Sequence, residues 1–292
     1  MVTARAPATS ANLGSGYDTF GVALDAPADE VTVQRADETT ISVSGAGAQY
    51  VPEDPAENTA GVVAAELDAP AHIEIDKGVR PASGMGSSAA SAAGAALALN
   101  ELYDRGYSRE ELVAVAAQGE AVVSGEAHAD NVAPALLGGF TITRPDGTTT
   151  LEPELSLVVC LPDQPVSTRE ARAAVPESLS VADHVETVRN AATLTVGMCR
   201  SDPELVGRGL DDPIVTPARA ELVTGYDAVR SAALDAGATG VTISGAGPSL
   251  LAVAPRAAQR SVASAMIDGF ESAGVEARAF RTGVGDGATL DD

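Results

Sequence analysis

The chain has no tryptophan, few aromatics of any kind, two cysteines, three histidines and a single lysine, Lys77. Each shortage closes a class of function. Cys160 and Cys199 cannot alone build a disulfide scaffold or a four-cysteine zinc site. Three histidines do not suit a multi-histidine zinc centre. Aromatics at 3% leave few platforms on which nucleic-acid bases stack. No apolar run approaches the roughly 18 residues that a membrane-spanning helix needs. Residues 1–7 hold no apolar signal core, so a cytoplasmic rather than a secreted protein is expected. A Walker A loop requires a Gly-Lys pair, and the one lysine follows Asp76.

Basic residues are scarce as a class. Lys and Arg total 18 against 41 Asp and Glu, a formal net charge of −23. A surface of that sign repels nucleic acid and anionic membranes, so neither is an expected partner. It also opposes compaction in dilute buffer unless salt screens it. The composition is similar to that of proteins from salt-loving microbes. What is present is ordinary for a globular chain: 292 residues and 45% apolar side chains, enough for one large domain or two ordinary ones without a staple.

Alternating residues at 31–35, 41–44 and 72–76 read as half-buried strands. An alanine-rich helix opens at Ser87 or Ser88 and runs to about Arg105, with Gly106 as its stop. Ser108 and Glu111 form a capping box for the next helix. Strands are expected at 134–143 and 155–161, around a turn at Pro145, Asp146 and Gly147. The second half offers helices at 181–200, 219–236 and 257–273, and strands at 240–244 and 249–254. The irregular alternation predicts an α+β chain of two domains, 1–150 and 151–292. Both cysteines read as packing residues.

Three glycine-rich segments stand out. The first runs from Pro7 to Gly21 and carries Asn12 and Asp18. The second is Pro81, Ala82, Ser83, Gly84, Met85, Gly86, Ser87, Ser88, Ala89, Ala90. Its glycines permit close backbone approach just where a helix begins, and a helix N-terminus favours an anion. An ordinary N-cap fits the same residues. The third is Ser244 to Ser249, which alone is a hairpin loop. Glu120 shares a helix face with Leu112, Ala116 and Val123. A carboxylate turned toward a core needs an arginine, a hydrogen-bond network or a magnesium ion, unless it sits at a wet edge. Beyond it, His128, Asp130 and Asn131 precede an apolar stretch.

In order and separation, the three segments resemble the motifs of the GHMP kinases, enzymes that phosphorylate small alcohols with Mg-ATP. Residues 10–18, 128–139 and 167–172 resemble the homoserine kinase family within that group, in a form suited to a halophilic archaeon. The resemblance implies an N-terminal domain of the ribosomal-S5-domain-2 type and a ferredoxin-like C-terminal domain, with the site between them. It implies L-homoserine and Mg-ATP as partners, in threonine biosynthesis, and leaves a homodimer open. Residues 81–90 would wrap the ATP phosphates, and Ser88 and Glu120 would hold magnesium. Asn12, Asp18, His128, Asp130, Arg172 and Arg219 match substrate positions. Ser88, Glu120, Asn131 and Arg172 are the implied catalytic set. The chemistry agrees, since two arginines suit a carboxylate and Asp18 suits an ammonium. Mevalonate or shikimate as acceptor, and a sensor that binds without catalysis, are the alternatives. The first pair needs no ammonium partner, and the last needs no magnesium carboxylate. Two departures stand: Pro81 lies one residue closer to Gly84 than in the common motif, and Asn131 replaces an aspartate that some related kinases place there as a base. Phosphoryl transfer is therefore expected without a strong protein base.

Overall fold

Alternation in the first third builds one face of a seven-stranded sheet. The computed structural model describes residues 1–124 and 129–291. Strands β1 (Val2–Ala11), β2 (Phe20–Arg35), β3 (Thr40–Gly45) and β4 (Ala71–Lys77) lie in the order β1-β2-β4-β3. β3 runs parallel to β4, and the other neighbours are antiparallel. Register sets Val31 opposite Ile75 and Val33 opposite Ile73, so the four buried side chains share one face. Helix α1 (Thr59–Glu66) precedes β4, and helices α2 (Ser87–Tyr103), α3 (Arg109–Ser124) and α4 (Val132–Leu137) follow it. α2 is buried along most of its length, which explains its alanines. A Cβ on Gly94 would come within 2.7 Å of the Val31 side chain, so only a small residue lets the helix sit this close to the sheet. The Ser108–Glu111 box is present, with the Glu111 carboxylate accepting from the Ser108 backbone at 2.8 Å.

Strands β5 (Phe140–Arg144) and β6 (Gly147–Leu151) form a hairpin on β2. β7 (Ser156–Pro162) then begins a second sheet. Helices α5 (Thr168–Ala173), α6 (Val181–Arg200), α7 (Pro203–Gly209), α8 (Val215–Ala220) and α9 (Tyr226–Asp235) lead to β8 (Gly240–Ile243) and β9 (Leu250–Val253). Helix α10 (Gln259–Ser272) and β10 (Ala277–Gly283) complete it, in the antiparallel order β10-β7-β9-β8. This is the β-α-β-β-α-β arrangement of ferredoxin-like folds. The chain ends by returning to the first sheet, where β11 (Thr289–Leu290) pairs with β1. β7 is buried on both faces. Leu157, Val159 and Leu161 join the larger core, while Val158 and Cys160 join the core under α9 and α10.

The structure departs from the sequence reading in several places. The stretch expected as a strand at 134–143 is a helix up to Leu137 and a strand only from Phe140, because Gly138 and Gly139 both take positive φ and turn the chain. The helix expected at 219–236 is two, broken before Gly225, which is left-handed at φ 86°. α2 stops at Tyr103 with Asp104 left-handed, ahead of the expected Gly106. The sequence reading did not place β1, α1, α5, α7 or β10. Cys160 is buried, and burial pushes its thiol up to about 12. Cys199 is exposed on α6, so the packing reading fails for it. No helix among the described residues is long and apolar enough to cross a membrane.

Candidate active site

The three glycine-rich segments, far apart in sequence, are sewn together by hydrogen bonds. Thr9 N–H donates to the Met85 carbonyl at 3.0 Å, and Gly245 N–H to the Ala11 carbonyl at 3.1 Å. The Ser244 hydroxyl reaches the Gly84 carbonyl at 2.6 Å and lies 2.8 Å from the Ser10 hydroxyl. Gly84 has φ 76°, and a Cβ there would lie 2.5 Å from the Ser244 carbonyl oxygen, so the loop and the hairpin touch backbone to backbone.

The second segment ends in the N-terminus of α2. Gly86 is its cap at φ 63°, and the first backbone bond back along the helix is Ala90 N–H to Gly86 at 2.9 Å. The N–H groups of the preceding turn therefore point out of the helix end, with the positive pole of its dipole. Lys77 anchors this turn from below. Its buried ammonium donates to the Ser87 carbonyl at 2.7 Å, the Ser91 hydroxyl at 2.8 Å and the Asp29 carboxylate. Burial pushes the Lys77 ammonium down, and Asp29 opposes that. With its donors committed to the protein, the one lysine shapes the loop.

Ser88 and Glu120 meet above this turn, the Ser88 hydroxyl donating to Glu120 at 3.0 Å. Burial pushes the Glu120 carboxyl up to about 7, against the Ser88 bond, with Asp130 adding and Lys77 subtracting. A carboxylate and a hydroxyl are hard oxygen donors, and a cation beside them would neutralise the charge that burial penalises. The pair fits a magnesium ion. Nearby, the Thr9 hydroxyl donates to the Asn131 side-chain oxygen at 2.9 Å, and both pack on Gly86.

The same cleft holds a second, charged group of side chains. Arg172, on α5, donates both terminal nitrogens to Asp18, at 3.1 Å each. Asn12 holds Asp18 in place, accepting its N–H at 3.0 Å while donating to the Gly245 carbonyl at 2.9 Å. Arg219, at the end of α8, is buried and donates to the Ala171 and Gly245 carbonyls at 3.0 and 2.9 Å. Capping by Ser167 and Glu170 sets the start of α5 and so the place of Arg172.

One cleft of about 670 Å³ collects most of the expected residues. Asn12, Asp18, Ser88, Glu120, Asp130, Asn131, Arg172 and Arg219 line it, as do Pro81, Ala82, Ser83, Gly84, Gly86 and Ser87. Met85, Ala89 and Ala90 do not; their side chains are in the core, where they hold the loop down. His128 lies outside the described residues, as does the side chain of Val123. Sequence reasoning passed over Thr9, Lys77 and Asp29. Their partners lie on other strands and helices, so no local pattern marks them. It also passed over the wall at Tyr50, Val51, Pro52, Asn58 and Thr59. The helix cap at Asn58, bonded to Ala60 N–H, was the available signal there.

The sequence and the fold are similar to those of known proteins. The GHMP kinases N terminal domain matches residues 56–139, and the GHMP kinases C terminal domain matches residues 194–272. The chain is 67% identical to the homoserine kinase of Halorubrum lacusprofundi over 99% of each chain. It is 68% identical to that of Haloquadratum walsbyi, over 99% of this chain and 100% of the other. The crystal structure of homoserine kinase from Cytophaga hutchinsonii is similar at a TM-score of 0.91 and 34% identity, covering 99% of this chain and 97% of that one. The L. major mevalonate kinase structure, at 17% identity and a TM-score of 0.72 over 97% and 95% of the two chains, shares the fold. With three motifs far apart in sequence meeting in one cleft, full-length similarity at that identity places the chain in the homoserine kinase family of the GHMP kinases.

Proposed function

We propose that the chain transfers the γ-phosphoryl group of ATP to the side-chain hydroxyl of L-homoserine, giving O-phospho-L-homoserine for threonine synthesis in the cytoplasm. The carrying observation is one cleft lined by two kinds of group: an open helix N-terminus with a Ser88–Glu120 pair, and a charged set of Asp18, Arg172 and Arg219. The first suits a polyphosphate with its cation, and the second suits an amino-acid head group.

The loop 81–86 and the first turn of α2 would take up the phosphates through backbone N–H groups, in place of a P-loop lysine. Ser88 and Glu120 would hold magnesium, which when bound offsets charge on the transferred phosphoryl group. Asp18 would take the substrate ammonium. Its carboxylate offers about four lone-pair sites, so accepting from Arg172 leaves room for another donor. Arg172 and Arg219 would face the substrate carboxylate, and Asn12 fixes Asp18 between the first and third motifs. Asn131 cannot take the hydroxyl proton, and its amide oxygen already accepts from Thr9. The residues would therefore position acceptor and donor in line, the hydroxyl oxygen bonding to the γ-phosphorus as the bond to ADP breaks, and the proton passing late to a phosphoryl oxygen and then to solvent, as a loose phosphoryl-transfer transition state allows. We assign residues 1–150 to the nucleotide side and 151–292 to the second domain. Phosphorus NMR of a reaction with L-homoserine tests the reading. A phosphomonoester on the side-chain oxygen is expected, and release of inorganic phosphate alone would contradict it.

A further inference from the structure

The two arginines of the cleft share a support that the chemistry above leaves without a role. Tyr17, in the turn between β1 and β2, is half-buried beside Asp18 and is not among the residues that line the cleft. Its ring centre is 5.0 Å from the Arg219 guanidinium carbon and 5.8 Å from that of Arg172. Arg172 arrives on α5 and Arg219 on α8, so three separate segments converge on one ring. Two guanidiniums this close oppose each other. Burial pushes the Arg219 pKa down, and the charge of Arg172 adds to that fall. The negative face of an aromatic ring attracts both cations, and more strongly away from water. The Tyr17 hydroxyl makes no hydrogen bond to the described residues. Burial and the neighbouring Asp18 push its pKa up, so the ring stays neutral. The ring, and not the hydroxyl, is what the arginines meet.

We propose that Tyr17 is a positioning residue whose ring face holds Arg172 and Arg219 together for the acceptor carboxylate, and so sets the preference for an alcohol that bears one. The inference rests on the homoserine kinase reading of the same cleft. The contact acts on the arginines that would meet the acceptor carboxylate, and not on the Ser88–Glu120 pair or the N–H groups that would meet the phosphates. Steady-state kinetics of the full chain in molar KCl test it, with wild type, Y17F and Y17L. The acceptors are L-homoserine and 3-amino-1-propanol, which keeps the hydroxyl and the ammonium and lacks the carboxylate. Y17L is expected to raise KM for homoserine about tenfold and to lower its preference over the amino alcohol by the same factor. Its kcat and KM for ATP should stay within about twofold, and Y17F should behave as wild type. Unchanged KM and preference in Y17L would overturn the inference. So would Y17F failing as Y17L does, which would place the role in the hydroxyl. A parallel fall in kcat, ATP affinity and both acceptors would reduce Tyr17 to a structural part. Y17M replaces Y17L if the latter does not fold. A wild type inactive on homoserine overturns the function reading itself, seen before any variant is compared, and the inference falls with it.

Discussion

A carboxylate on an apolar helix face has to be protonated, paired or bound to a cation. Glu120 shows how much one residue discloses. Its helical spacing from Leu112 and Ala116, both fully buried, marks it as inward-facing from sequence alone. Spacing alone does not disclose its partner, because Ser88 lies on another helix; the family resemblance is what set the two together. Arg172 and Arg219 are the reverse case. Alone, each reads as a surface charge, and only resemblance to a family singles it out; the fold then brings Arg172 to Asp18 and both to the Tyr17 ring. The carboxyl of Glu120 is pushed up to about 7 by burial, which fixes the sign of two effects. The magnesium concentration needed for activity should rise as pH falls below about 7, since protons then compete for the carboxylate. In the metal-free protein, the folded state holds this proton where the unfolded state has lost it. That contribution is full below the unfolded value of 4.5 and is lost as pH rises through about 7. With magnesium chelated, Glu120→Gln should therefore gain stability relative to wild type between pH 5 and pH 8, read as a widening difference in Tm. With magnesium present its kcat should fall about 100-fold or more. A pH-independent Tm difference would contradict the assigned burial.

At the scale of elements, the phosphate loop works because two glycines permit what side chains forbid. Gly84 and Gly86 were visible as glycines, and the start of α2 was placed correctly. The reason for each was not visible, since it depends on segments far away in sequence. A Cβ on Gly86 would sit 2.0 Å from the Thr9 hydroxyl, and its φ of 63° is costly for any L-residue. Gly106 has a similar φ of 74° with nothing within 4 Å. The two positions separate backbone strain from site geometry. Gly106→Ala should cost about 1 kcal/mol of stability and leave kinetics unchanged. Gly86→Ala should cost more, and raise KM for ATP about tenfold or more by displacing Thr9 and Asn131 from the loop. Denaturant titration and ATP kinetics on both variants check this, and equal effects would contradict it. The misread stretch at 134–143 has a plain cause. A helix such as α4 and a strand such as β5 present the same apolar run, and only the turn at Gly138 and Gly139 divides them. β7, buried on both faces, was legible as a short apolar run without alternation, while short α5, which was not read, starts at its Ser167–Glu170 cap.

At the scale of the molecule, charge dominates. The net charge of −23 is spread over a protein whose buried ion pair, Lys77 with Asp29, salt cannot reach. Surface repulsion, by contrast, is screened. Tm should rise by about 10 °C or more between roughly 0.1 M and roughly 2 M KCl, levelling as the Debye length falls to a few ångströms. A Tm that does not move with salt would contradict the screening argument. The acid excess was legible at once, and so was the α+β class. The return of the C-terminus to the first sheet was not, because a two-residue strand such as β11 has no signature. The cleft itself, formed where the first sheet, α2, α5 and α8 meet, carries the central claim. ADP release with Mg-ATP in molar KCl, compared across L-homoserine, mevalonate, shikimate and L-threonine, tests it most directly. Turnover with L-homoserine, at a kcat/KM at least about 100-fold above every other acceptor, is the predicted result. Folded protein that binds ATP and turns over none of the four, or that prefers an acid without an ammonium, would contradict it.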